Sequence, residues 1–212
     1  MIRAYNDIYI EDAMSALGGM LDYAVNTCGE ELNLFYQRFL ASGVAHSLYR
    51  GNPKYIAGMS GIELAMLVAL RTGDELTSDD YLIDIGSPEY WTGWTMAYLS
   101  WYLCMDYDIL QARGVTIDAL YIRYAPLHEA DISKAVQFAE RRLLEYAAAN
   151  NPLKEARKNA GLTQGELAKL SDNTIHAIRA WEQGRCSIKN ARAESVLNLC
   201  RVLGCRAESI ML

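Results

Sequence analysis

An all-α protein of two domains is predicted by three features of this chain. Apolar residues recur at spacings of three and four through most of its 212 residues. Two capping boxes, Ser60 with Glu63 and Thr163 with Glu166, each mark a helix start: a hydroxyl caps, and a carboxylate three residues on reaches back. The one strand-like run, Tyr81 to Ile85, is too isolated to build a sheet. The length exceeds that of an average single domain, and 51% apolar residues suffice for two cores.

In chain order, Ile8 to Val25 sets Ile8, Ala13, Met14, Leu17, Met20, Leu21 and Ala24 at helical spacing. A second helix covers Glu31 to Ala41, and a short one ends near Arg50. The segment Gly51 to Gly61 reads as a rigid connection; its glycines and Lys54 suggest a phosphate loop, but the GKS or GKT spacing is missing. The Ser60–Glu63 box launches a helix from Gly61 to Arg71. Ser87-Pro88 opens the most aromatic helix, with proline in its favoured first-turn place. Short helices follow over Asp106 to Ala112 and Thr116 to Tyr124, then a long one from Glu129 to Ala148. Asn151-Pro152 caps the next helix, so the domains are 1–149 and 150–212.

The aromatic helix carries Trp91, Trp94, Tyr98, Trp101 and Tyr102 on one face. Two readings stay open for it: a ligand pocket or partner hot spot, or large side chains filling the centre of a small domain.

The run from Leu153 to Gly184 is the most specific part of the sequence. Thr163 and Glu166 start one short helix there. Leu167, Ala168, Ile178 and Trp181 give the inward positions of two helices crossing over a tight turn. Leu153, Arg157, Leu162, Thr163, Gln164, Leu167, Ala168, Ile178, Glu182 and Gly184 lie in gapless register with the Xre/Cro-repressor family, which this segment resembles. The resemblance implies a five-helix, lambda-repressor-like domain whose helix beginning at Thr174 enters the DNA major groove. It implies Thr174, Ile175, His176, Arg179 and Ala180 as base-facing positions, and Arg157 with Glu182 as a buried structural ion pair. Two departures from the family stand in the turn. Asp172 replaces the usual glycine and tolerates a left-handed backbone; Asn173 replaces an apolar anchor, which predicts a looser turn.

Charge divides the same way. Residues 1–150 hold ten Lys and Arg against twenty Asp and Glu, a net −10, whereas residues 151–212 hold ten against six, a net +4. A basic module on an acidic body suits phosphate contact at one end. Lys154, Lys158, Lys169, Arg185 and Lys189 are the expected phosphate partners, with Gln164 and the amides at the start of its helix.

Other classes lose support. Cys28, Cys104, Cys186, Cys200 and Cys205 form no CxxC pair, so no metal site is expected and the thiols read as reduced. Acidic Asp7, Glu11 and Asp12 stand where a leader's apolar region would be, and the longest apolar run, Leu64 to Leu70, cannot span a bilayer. A cytoplasmic location follows as the expectation, without a membrane partner. His128, Glu129 and Asp131 cluster after Pro126, but acids at a helix start serve the cap and dipole. No nucleophile–base pattern appears, so neither an enzyme nor a cofactor is expected.

The expected function is a sequence-specific DNA-binding repressor, in one form the autoregulating antitoxin of a toxin–antitoxin pair, whose residues 1–149 hold the toxin. The alternatives are a ligand-sensing regulator using the aromatic helix, and an interaction adaptor with a degenerate helix-turn-helix. So few base-reading side chains predict a homodimer on two half-sites, paired through the first 149 residues or through the helices near Leu199 and Leu203.

Overall fold

The computed structural model describes residues 5–76, 78, 80 and 82–211; over them the chain is helical, with no strand among the described residues. Tyr81 lies outside the described residues, and residues 82–84 run without regular structure into a turn.

In the N-terminal unit, α1 (Ile10–Asp22) occupies the centre: every residue from Ala16 to Asp22 is buried, as expected of a helix surrounded by protein. It widens into a π turn, Tyr23–Thr27, and stops near Gly29. Next come α2 (Leu32–Ala41), capped by the Glu31 carboxylate, then α3 (Val44–Tyr49) and the single-turn α4 (Pro53–Ile56). The last of these stands inside the segment read as a plain connection, because Asn52 accepts the Lys54 N–H and Pro53 takes the first helical position. The Ser60–Glu63 box starts α5 (Gly61–Arg71), with the Ser60 N–H donating to Glu63 Oε2 at 2.7 Å.

Ser87 caps α6 (Pro88–Leu103), its Oγ accepting from the Tyr90 N–H. Asp106 and Thr116 cap α7 (Tyr107–Ala112) and α8 (Ile117–Tyr121). A separate turn, α9 (Tyr124–Leu127), follows where one helix through Tyr124 was predicted. The long helix α10 (Ser133–Ala149) starts later than Glu129, because Asp131 folds back: its Oδ1 and its carbonyl accept the N–H groups of Ser133 and Lys134.

The pair α1 and α6 forms the centre of this unit, and small residues set how closely α6 and α5 approach α1. A Cβ on Gly93 would sit 2.5 Å from the Leu17 carbonyl oxygen, and one on Gly61 2.6 Å from the Gly19 backbone, so only glycine fits at either place. Leu17, Met20, Leu21, Phe35, Tyr36, Phe39, Leu64, Met96, Leu99 and Tyr107 fill the core around them.

A polar cluster lies at the end of this core. Asp22 is 1% exposed; its Oδ1 accepts from Asn26 Nδ2 (2.7 Å) and Ser87 Oγ (2.6 Å), and its Oδ2 from the Asp84 N–H (2.8 Å). Asn26 Nδ2 also donates to Glu89 Oε2, and the Tyr121 hydroxyl to Glu89 Oε1. Both buried carboxylates are thus hydrogen-bonded, and Asp22 pins the entry to α6.

The C-terminal unit has its own core. It comprises the last turns of α10, then α11 (Pro152–Asn159), α12 (Gln164–Leu170), α13 (Ile175–Glu182), a 3-10 turn Ile188–Asn190, α14 (Ala193–Leu203) and α15 (Ala207–Ile210). Leu153, Leu167, Ala168, Ile178, Val196, Leu199 and Ile210 are its buried residues, with Trp181 packed half-buried against them. By compactness the units are Met1–Glu140 and Arg141–Leu212, so the division falls within α10. No helix of the described residues is long and apolar enough to cross a membrane.

Candidate nucleic-acid interface

The turn between α12 and α13 sets the geometry of this surface. Thr163 and Glu166 start α12 reciprocally: the Glu166 N–H donates to Thr163 Oγ1 at 3.2 Å, and the Thr163 N–H to Glu166 Oε2 at 2.7 Å. The hydrogen bonds from Thr163 hold the Glu166 carboxyl below its ordinary pKa. Leu167 and Ala168 face the core, and α12 ends at Ser171. Asp172 then takes φ 51°, the left-handed conformation its short polar side chain tolerates.

Asn173 behaves differently from the loose position its polarity predicts. Its side-chain amide donates to the Ser171 carbonyl (2.9 Å) and to Ser171 Oγ (3.1 Å), and lies 3.4 Å from the Ser195 carbonyl at the start of α14. Its backbone N–H closes on the Ala168 carbonyl at 2.9 Å. Buried Ser171 in turn donates to the Leu167 carbonyl at 2.6 Å. A hydrogen-bonded network anchors the turn at the position where the resemblance implies an apolar contact.

Behind the turn, Arg157 and Glu182 join the first and third helices of the domain. The guanidinium meets the carboxylate in a two-pronged contact, Nε to Oε1 at 2.6 Å and Nη2 to Oε2 at 3.0 Å. Arg157 Nη1 also donates to the Leu162 carbonyl (2.6 Å), and Gln164 Nε2 to Glu182 Oε2 (2.8 Å). Glu182 is 2% exposed. Its hydrogen bond raises the pKa of Arg157, so the guanidinium stays charged. The group locks the end of α13 to α11 and the start of α12.

Thr174 caps α13 through Oγ1, which accepts the Ala177 N–H at 3.1 Å. Of the five base-facing positions implied by the resemblance, Thr174, His176 and Arg179 are exposed. Ile175 and Ala180 are half-buried, and Ile175 packs against the core, so these two flank the exposed face. Exposed Gln183 joins that face: positions 176, 179 and 183 are three and four apart, one above the other on a helix. It was not among the sequence candidates, although the spacing alone could have found it. Neither His176 nor Arg179 has a side-chain partner among the described residues.

The six polar candidates for phosphate contact are not equivalent. Lys158, Lys169, Arg185 and Lys189 are exposed. Half-buried Lys154 donates from Nζ to the Ala148 carbonyl (3.1 Å), and half-buried Gln164 is committed in part to Glu182. Each keeps further N–H donors.

The aromatic face of α6 divides along its length. Trp101 is buried, its indole donating to the Tyr5 carbonyl at 3.1 Å. Tyr98 is half-buried and stacks on Tyr102, with ring centres 5.7 Å apart. Trp91 and Trp94 are half-buried and line a pocket. No group of His, Cys, Asp and Glu among the described residues could hold a metal ion.

Residues 153–210 match the protein-family model described as helix-turn-helix, which agrees with a resemblance expected over about residues 151–211, through α14 and α15. The match covers the C-terminal part of the chain, and its domain type is that of a DNA-binding transcription regulator. No curated protein and no solved structure matches the chain.

Proposed function

We propose that this chain is a sequence-specific repressor that binds duplex DNA as a two-fold homodimer, with α13 in the major groove. The observation that carries the reading is the exposed, unpartnered row on α13, held in place by the Arg157–Glu182–Gln164 group. Arg179 is suited to guanine O6 and N7, and Gln183 to adenine; His176 adds a third polar reader. Thr174, Ile175 and Ala180 border them and offer methyl groups to thymine. Lys158, Lys169, Arg185 and Lys189, helped by the remaining donors of Lys154 and Gln164, take phosphates and set register.

Residues 150–212 are the DNA-binding part in this reading, and residues 1–149 the partner-binding and pairing part. Three polar readers per copy favour two half-sites about 34–36 Å apart. Exposed apolar side chains supply candidates for the pairing surface: Ile8, Leu70 and Ile122 in the N-terminal unit, and Leu197 in α14. In its antitoxin form the reading adds a protein toxin held by the same apolar positions of the N-terminal unit.

Gel-shift titration of the full chain on its own upstream DNA tests the assignment. Lys158→Ala or Arg185→Ala should weaken binding to all sequences alike. Arg179→Ala should relax preference at one base pair, by about 1–3 kcal/mol. A uniform loss from Arg179→Ala would refute the placement of α13 in the groove. Light scattering tests the pairing: a monomer at the concentration of the binding assay refutes the homodimer.

A further inference from the structure

A pocket of about 250 Å³ opens beside α6 in the N-terminal unit. Tyr90, Trp91 and Trp94 of α6 line it together with Leu127 and Ile132, and His128 and Asp131 supply its polar groups. The lining contains no Lys or Arg. Its walls are braced: Trp91 and Tyr124 meet in a T-shaped pair at 5.8 Å between ring centres, Tyr124 stacks on His128 at 4.4 Å, and the Tyr124 hydroxyl donates to the Gly86 carbonyl at 2.6 Å. Neither Trp91 nor Trp94 spends its indole N–H on a partner among the described residues, in contrast to Trp101.

The charge of the site selects among ligands. Hydrogen bonds from Ser133 hold the Asp131 carboxyl below its ordinary pKa, so it is ionised at neutral pH. An anion meets that carboxylate and finds no free amide at the start of α10. The N–H groups of Ser133 and Lys134 go to Asp131, and those of Ala135 and Val136 to the Ile132 carbonyl. His128 Nδ1 lies 3.0 Å from the Tyr124 carbonyl, which can only accept, so this nitrogen carries a proton; Nε2 lies 3.7 Å from Glu129 Oε1. Indole rings and a carboxylate favour a positive ligand, and the volume lies just below the range of drug-sized pockets.

We propose that this pocket binds a small organic cation, an alkylammonium or quaternary ammonium group, on the faces of Trp91 and Trp94 with Asp131 as its counter-charge. The pocket is built from residues of the N-terminal unit alone, and the proposal stands whether or not α13 reads bases. Lys134, next to Asp131 on α10, offsets part of the carboxylate's field, so the aromatic faces supply much of the selectivity.

Calorimetric titration of the full-length chain with choline, butylamine and 3,3-dimethylbutan-1-ol, the neutral counterpart of choline, tests the proposal. One of the two cations should bind saturably, and the neutral alcohol at least tenfold more weakly than choline if choline is that cation. Asp131→Asn keeps a side chain able to cap α10 and should weaken the cation at least fivefold; Trp94→Ala should abolish binding. Arg113→Ala, an exposed charge of the same unit outside the pocket, should change nothing. A capped lysine added as a fourth probe separates the sources: binding tighter than butylamine assigns the cation to a partner's side chain, and weaker binding to a free amine. Where choline binds, equal affinity for its neutral counterpart overturns the proposal; so does an unchanged affinity of the bound cation in Asp131→Asn, or no saturable binding of either cation. If Trp94→Ala fails to fold, Asp131→Asn and the neutral probe still decide.

Discussion

Removing Arg157 should destabilise the C-terminal unit more than removal of any exposed charge nearby. In Arg157→Ala, Glu182, only 2% exposed in the intact domain, loses both prongs of its contact, at 2.6 and 3.0 Å; the Leu162 carbonyl loses a donor as well. Breaking a buried pair from one side costs about 3–5 kcal/mol, because the remaining charge is left without compensation. Gln164 still donates to Glu182 Oε2 at 2.8 Å, which places the expected loss near the lower end, about 3 kcal/mol. Hydrogen exchange of the full chain reads this locally: amides of α11 to α13 should exchange about 100-fold faster, since 1.4 kcal/mol is a factor of ten. Lys158→Ala, which removes an exposed charge, should stay within about 0.5 kcal/mol. A double change to apolar residues, Arg157→Met with Glu182→Leu, should recover most of the loss. If Arg157→Ala exchanges like Lys158→Ala, the pair does not hold α13 and the reasoning fails.

Gly93→Ala should cost the N-terminal unit about 1–3 kcal/mol, as overpacking does, because the new Cβ would meet the Leu17 carbonyl oxygen at 2.5 Å; urea denaturation measures it. Asp22→Ala should destabilise the same unit by about 2–3 kcal/mol, since the Ser87 hydroxyl and the Asp84 N–H lose their acceptor; an unchanged urea midpoint would contradict that role. Glu63 and Glu166 are held below their ordinary value of 4.5 by their capping boxes. Their stabilisation is therefore complete above the unfolded pKa and lost as pH falls through the folded one. Melting temperatures taken from pH 6 to pH 3 should drop on acidification, and less steeply in a Glu63→Gln, Glu166→Gln double variant; identical slopes would remove the boxes from the acid response.

The elements of the C-terminal unit are legible in the sequence because their signals are local. Thr163 and Glu166 lie three residues apart, Asn151 stands directly before Pro152, and the spacing of Leu167, Ala168 and Ile178 sets the inward face. The same holds for Ser60–Glu63 and Ser87-Pro88. Signals that depend on distant partners stayed hidden. Asp22 meets Asp84 and Ser87 more than sixty residues away, so nothing near it in sequence announces a buried carboxylate. Asn173 reads as a lost apolar anchor until Ser171 and Ser195 stand beside it. Asp131 does cap α10, as acids at a helix start do, yet it also lines a pocket with tryptophans forty residues earlier, which no cap pattern reveals.

Binding of fluorescent duplex from the chain's own upstream region, followed by anisotropy from 50 to 200 mM salt, tests the central claim most directly. Four phosphate contacts per copy, from Lys158, Lys169, Arg185 and Lys189, give a slope of log K against log salt of about −3.6, or about −7 for a dimer. Arg179→Ala should leave that slope unchanged while narrowing the gap between the upstream duplex and a scrambled one. Absent binding, or affinity independent of salt and sequence, would contradict the account.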